Sequence, residues 1–129
     1  WTDARFSSNF ESDFDAWGSV VRGDALPYLA PHQGSIIASL VGPKIALNTS
    51  FRYVGAMRTI AGQDDLVSTQ STDIAKVLDV AFSWSIKPGI QFELGMNNVL
   101  DANYIVARRP AGIRPGMPRF MRTGLRLMF

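Results

Sequence analysis

The sequence predicts an all-β protein: an antiparallel up-and-down transmembrane β-barrel, of which this chain supplies about the last six strands. Three observations carry that expectation. In the closing segment, Met121, Thr123, Leu125, Leu127 and Phe129 fall on one face of a strand, and Arg122, Gly124 and Arg126 on the other, because strand side chains alternate with period two. The connections alternate in length, with tight Gly-Pro-Lys and Lys-Pro-Gly turns set between long polar loops. Spanning barrels do this, with short turns on one side of the membrane and long loops on the other. Hydrophobic residues make up 47% of the 129 positions, yet no run approaches the ~18 apolar residues of a membrane helix.

Trp1 to about Ser8 alternates like the end of a strand and then passes into a polar loop interrupted by Phe10 and Phe14. Gly23 to Pro31 reads as loop with an extended exit, since Pro27 and Pro31 lack the donors that a central strand needs. A strand follows from His32 to about Val41, with Ile36, Ala38 and Leu40 on one face and Ile37 and Val41 on the other. After the turn Gly42-Pro43-Lys44, residues Ile45, Leu47, Thr49, Phe51 and Tyr53 alternate with Ala46, Asn48, Ser50 and Arg52. A polar loop from Gly62 through Thr72 leads to Leu78, Val80, Phe82, Trp84 and Ile86, alternating with Asp79, Ala81, Ser83 and Ser85. Lys87-Pro88-Gly89 turns the chain into Ile90, Phe92, Leu94 and Met96, alternating with Gln91, Glu93, Gly95 and Asn97. A third long loop, roughly Leu100 to Pro118, precedes the terminal strand. Tyr53, Trp84, Tyr104 and Phe129 lie near strand ends, where aromatic girdles sit in membrane barrels.

Charge placement separates a barrel from a soluble sandwich. Two packed sheets would bury Asp79, Glu93, Arg122 and Arg126. In a barrel these residues, with Arg52, face the lumen, where the arginines pair with Asp79 and Glu93 on neighbouring strands. Several function classes fall away. The chain has no cysteine and one histidine, His32, so thiolate chemistry is excluded and a histidine-rich metal site cannot form. Glu11, Asp13 and Asp15 lack the glycine and downstream glutamate of a calcium loop. No nucleophile, base and orienting acid are arranged for catalysis, so the chain is not expected to be an enzyme, and no cofactor or metal is expected. The net charge is only +2, and no nucleic-acid recognition fold is indicated.

Three segments carry a resemblance. Asn97-Asn-Val-Leu-Asp-Ala-Asn-Tyr104, then Pro115-Gly-Met-Pro-Arg119, then a last strand ending in Phe129 resemble the end of TonB-dependent outer-membrane receptors. Val99 stands where that family usually has phenylalanine. Gly23-Asp-Ala-Leu-Pro-Tyr28 followed by Pro31-His-Gln33 is similar to ferric-citrate-type members. The resemblance implies that residues 1–129 are the C-terminal portion of such a receptor's barrel, part of a longer polypeptide whose plug domain is absent from this chain. It further implies a bacterial outer-membrane location and uptake of a ferric chelate, of siderophore or ferric-citrate class, or a similar scarce nutrient. TonB would engage through the plug, lumen arginines would also meet plug carboxylates, and Phe129 with Leu127 and Leu125 would be the signal read by the barrel-assembly machinery.

Six arginines and no acid follow Asp101. Among them Arg108, Arg109 and Arg114 crowd the last long loop. Guanidinium groups pair bidentately with carboxylates and stay charged, so these three are candidates for holding a chelate, or for contacting outer-leaflet lipid and lipopolysaccharide phosphates. The rival expectation is a small structural or adhesive outer-membrane barrel without transport activity.

Overall fold

A computed structural model describes residues 1–128. Phe129, expected as part of the assembly signal and of an aromatic girdle, lies outside the described residues. Among the described residues nine strands are formed: β1 (Phe10–Glu11), β2 (Ser19–Val20), β3 (Gln33–Val41), β4 (Ile45–Val54), β5 (Ala75–Lys87), β6 (Ile90–Asn97), β7 (Ile105–Ala107), β8 (Arg114–Pro115) and β9 (Phe120–Leu127). The sole helical element among the described residues is a 3-10 turn, Ser68–Gln70.

The chain divides into two units. The sheet unit comprises Gly34–Arg52, Lys76–Ala102 and the segment from Met117 onward. Its strands belong to one five-stranded sheet in the order β3-β4-β5-β6-β9. Neighbours in sequence are neighbours in space, apart from the excursion between β6 and β9. Gly42 N–H donates to the Ile45 carbonyl at 2.8 Å and closes the first short turn, and Ser85 N–H donates to the Lys44 carbonyl at 2.7 Å. The β6–β9 pairing is antiparallel and unbroken from Ile90↔Leu127 to Asn97↔Phe120. All-β, antiparallel and meandering, with short turns alternating with long connections, the sheet is the expected barrel segment.

Most of this sheet is solvent-exposed, and Val77, Gly95 and Asn98 are its buried residues. Its apolar face carries Trp84, Met121 and Leu125 at 44%, 58% and 60% exposure. A free-standing soluble sheet would cover such a surface.

The loop unit comprises Trp1–Gln33, Tyr53–Ala75 and Asn103–Gly116, and it has a small core. Ala16, Val20, Ala30 and Tyr104 are buried. Phe6, Phe10 and Trp17 meet edge to face with centroids 5.4–5.9 Å apart, and Phe14 joins Trp17 at 5.7 Å. Asp24 is buried with both oxygens occupied, Oδ2 accepting from Val21 N–H at 2.9 Å and Oδ1 from Gln63 Nε2 at 3.1 Å. Buried polar groups require such partners.

Trp1–Ser8 does not form the expected strand. Its backbone bonds instead to the loop that follows: Thr2 N–H to the Pro31 carbonyl and Phe6 N–H to the Asp24 carbonyl, both at 2.9 Å, with a single bridge between Arg5 and Ala25. The alternation is real, but the partner is irregular, so no ladder propagates. The long loops also hold two unforeseen pairs, β1–β2 and β7–β8.

Candidate functional site

Register fixes which side chains share a face of the sheet, because directly opposed residues point the same way. Ser83, Glu93 and Gly124 form one row, as do Ala81, Gly95 and Arg122, and Ser85, Gln91 and Arg126. The opposite face carries Val80, Met96 and Met121, then Phe82, Leu94 and Thr123, then Trp84, Phe92 and Leu125. One face is therefore polar and charged and the other apolar.

On the polar face, Arg126 Nη2 lies 2.9 Å from Glu93 Oε1. Asp79 makes no ion pair among the described residues; its Oδ1 accepts the backbone N–H of Asn98 at 2.9 Å. The Arg122 side chain crosses onto β6, where a Cβ on Gly95 would come within 2.7 Å of its Nε. Neither Arg122 nor Arg52 makes an ion pair among the described residues. A groove of about 260 Å³ beside Arg122 is lined by Asn48, Ser83, Glu93, Gly95 and Gly124. Ser39 Oγ donates to Asn48 Oδ1 at 2.7 Å, which puts Ser39 on this face too. Period two then adds Ile37 and Val41, 72% and 74% exposed.

The motif Asn97-Asn98-Val-Leu-Asp101 and the residues before β9 form a clasp. Asn98 is 1% exposed and adopts φ +49, a left-handed conformation that asparagine tolerates better than most residues. Its Nδ2 donates to the carbonyls of Ala102 and Met117, each at 3.0 Å, and its Oδ1 accepts from Ala102 N–H at 2.9 Å. Arg119 Nη2 pairs with Asp101 Oδ2 at 3.0 Å, and Val99 N–H reaches the Leu78 carbonyl at 2.8 Å. The clasp thereby fixes where β6 ends and where β9 begins.

Within the loop unit, Tyr104 is 8% exposed, so it is not the girdle residue expected of it. Its ring lies against Gly116, where an added Cβ would collide with the ring carbons. Its carbonyl accepts from Gly116 N–H at 2.7 Å.

The three loop arginines sit on the β7–β8 hairpin, with Ala107 opposite Arg114. Their side chains go different ways. Arg108 Nε donates to the Ser71 carbonyl at 2.6 Å, a structural engagement. Arg109 Nη1 stands 3.9 Å from Asp15 Oδ2, and Arg114 is exposed without an ion pair among the described residues. The hairpin root is held by Tyr28, whose Oη accepts the backbone N–H groups of Arg109 at 2.9 Å and Arg108 at 3.3 Å. His32 is exposed and uses its carbonyl to accept Gly55 N–H at 2.8 Å. Among the described residues no cluster of acidic or histidine side chains has metal-binding geometry.

Asn98 and Tyr28 stood within the segments that carry the resemblance, but the sequence singled out the charged residues and gave neither of these a role. Asn98 carried a weak signal, since asparagine tolerates the left-handed conformation that a sharp end to an alternating run can require. Tyr28 carried none, because its partners lie 80 and 81 residues away.

Compared with known proteins, the sequence matches no family model and no curated protein. The fold is similar to that of the ferric-catecholate import receptor Fiu from E. coli K12, in its closed crystal form, with a TM-score of 0.67 and 21% identity. The superposition covers 81% of this chain and 15% of the receptor. The chain therefore spans a small part of that protein's length, and the likeness is one of fold. It is to a transport receptor rather than an enzyme, and it does not carry the ferric-citrate resemblance of Gly23–Tyr28 and Pro31–Gln33.

Proposed function

We propose that this chain is the C-terminal barrel segment of a TonB-dependent outer-membrane receptor that imports a ferric chelate. The observation that carries the reading is the pairing of two opposite faces in one meander: apolar residues continuous across β5, β6 and β9, and small, polar and charged residues, Glu93, Arg122 and Arg126 among them, on the reverse. A sheet between lipid and a watery or protein-filled lumen needs that division. The motif from Asn97 to Asp101, clasped to the lead-in of β9, supports the same family. Fold likeness to a ferric-catecholate receptor favours a siderophore cargo over ferric citrate.

In this reading the apolar face meets outer-membrane lipid, and Arg52, Asp79, Glu93, Arg122 and Arg126 face the lumen. TonB acts through a plug elsewhere in the polypeptide, and Leu125, Leu127 and Phe129 present the assembly signal. Capture falls to the long loops. Arg109 and Arg114 are the better candidates to meet an anionic chelate or lipopolysaccharide phosphate, because Arg108 already holds Ser71.

The test is radio-iron uptake under iron limitation by cells that carry or lack the whole gene, with ferric tris-catecholate and ferric citrate supplied separately. Loss of catecholate uptake on deletion, restored by the gene in trans, is the expected result. Unchanged uptake of both chelates, or a native outer-membrane polypeptide no longer than this chain, would overturn the reading.

A further inference from the structure

A second cleft lies between the two short turns of the sheet. It measures about 560 Å³ and is lined by Lys44, Lys87, Ile86, Ile90 and Met128, with Ser85 and Gln91 reaching it from the polar face, and by no acidic residue. Two backbone hydrogen bonds between strand ends hold it together. Ser85 N–H binds the Lys44 carbonyl at 2.7 Å, and Met128 N–H binds the Gly89 carbonyl at 2.9 Å. Gly89 has φ +80, and a Cβ there would stand 2.7 Å from the Met128 carbonyl oxygen, so only glycine permits this approach.

Simple alternation along β5 would place Lys87 on the polar face with Ser83 and Ser85. The pairing breaks at that point. Ser85 is opposite Gln91, but Lys87 is opposite Ile90, so Ile86 is an extra residue in β5. Ile90 is in turn opposite Leu127, on the apolar face. The β-bulge thus re-aims Lys87 to the apolar side, among Ile86, Ile90 and Leu127. An ammonium group held in hydrocarbon is costly. At a strand end its four-carbon stem can lie along apolar surface while the charge reaches the polar layer.

We infer that this cleft binds the head group of an anionic phospholipid in the leaflet on the short-turn side. Lys87 and Lys44 flank its phosphate, and Ile86, Ile90 and Met128 lie along its acyl chains. The inference rests on the membrane reading above.

The experiment uses the full native polypeptide, reconstituted in nanodiscs of mixed phosphatidylglycerol and phosphatidylcholine. Native mass spectrometry then counts the lipids retained on release. Wild type should retain phosphatidylglycerol preferentially, and K87Q or K44Q should each lower that preference about fivefold. The charge-conserving pair S83K/K87Q, which moves the ammonium to the polar face outside the cleft, should behave like K87Q. K76Q, at the opposite end of β5, should change nothing. Equal retention of both lipids by wild type, an unaltered K87Q, restoration by S83K/K87Q, or an equal loss in K76Q would each overturn the site. Failure to enter nanodiscs of any composition would instead refute the membrane reading, and the site with it.

Discussion

Replacing Asn98 with alanine should destabilise the fold by about 4 kcal/mol, for two separable reasons. The amide makes three hydrogen bonds at 2.9–3.0 Å from a position that is 1% exposed, each worth about 1 kcal/mol net. Alanine must also hold φ +49, at about 1 kcal/mol for a residue that disfavours the left-handed region. Asn98→Gly removes the bonds but not the conformational fit, so it should cost about 3 kcal/mol, and the difference between the variants isolates the backbone contribution. Asn98→Asp keeps one acceptor but turns a carboxylate toward the carbonyls of Ala102 and Met117, beside Asp79, and should be at least as damaging as alanine. The assay is equilibrium urea unfolding of the full native polypeptide in lipid vesicles, followed by tryptophan fluorescence. An alanine variant within about 0.5 kcal/mol of wild type, the usual scatter for an inconsequential surface change, would refute the clasp as the element that fixes the β6–β9 junction.

Other substitutions test other parts of the structure. Leu125→Arg on the apolar face should impair vesicle-folded stability by about 2–4 kcal/mol near a bilayer midplane, whereas Gly124→Ser, whose Cβ would meet nothing within 4 Å, should do far less. Equal effects would sink the assignment of faces. Glu93→Gln breaks the 2.9 Å pair with Arg126, whose side chains are 40% and 60% exposed, so it should cost under about 1 kcal/mol; a larger loss in the same unfolding assay would mean that this face is packed rather than wet. Tyr28→Phe removes the acceptor of two backbone N–H groups, and hydrogen exchange at Arg108 and Arg109 should accelerate while exchange in β6 stays unchanged. Gly116→Ala drives a methyl group into the Tyr104 ring and should cost about 1–3 kcal/mol of overpacking, read from thermal unfolding.

Where a strand is long and its two faces have different surroundings, its residues announce it, and β3, β4, β5, β6 and β9 were all legible from alternation. Ile90–Asn97 matched the expected limits at both ends. The two-residue strands β1, β2 and β8 are too short to have a period, and their pairing depends on contacts far away in the chain. Trp1–Ser8 shows the converse failure, an alternating segment whose partner is not a strand. The bulge at Ile86 was hidden because a single extra residue leaves both flanking patterns intact and changes only their phase. At the candidate site, the Arg126–Glu93 pair was foreseeable from face assignment. Asp79 was not, since its partner is a backbone N–H rather than a guanidinium group. The loop arginines were visible as a cluster in sequence, yet Arg108 is occupied by a carbonyl that no pattern of charges reveals.

The Asn98 amide grips the chain at Ala102 and again at Met117, and the boundary between the two units falls at these same residues. Everything between them leaves the sheet and returns to it through one pinned neck. Lengthening a loop whose ends are already fixed carries only a logarithmic entropic penalty. The stretch between Ala102 and Met117 can therefore be lengthened at its exposed tip, Pro110 to Ile113, while Asn97 still finds Phe120. In that sense a single buried amide marks where the sheet's own register stops and the excursion begins.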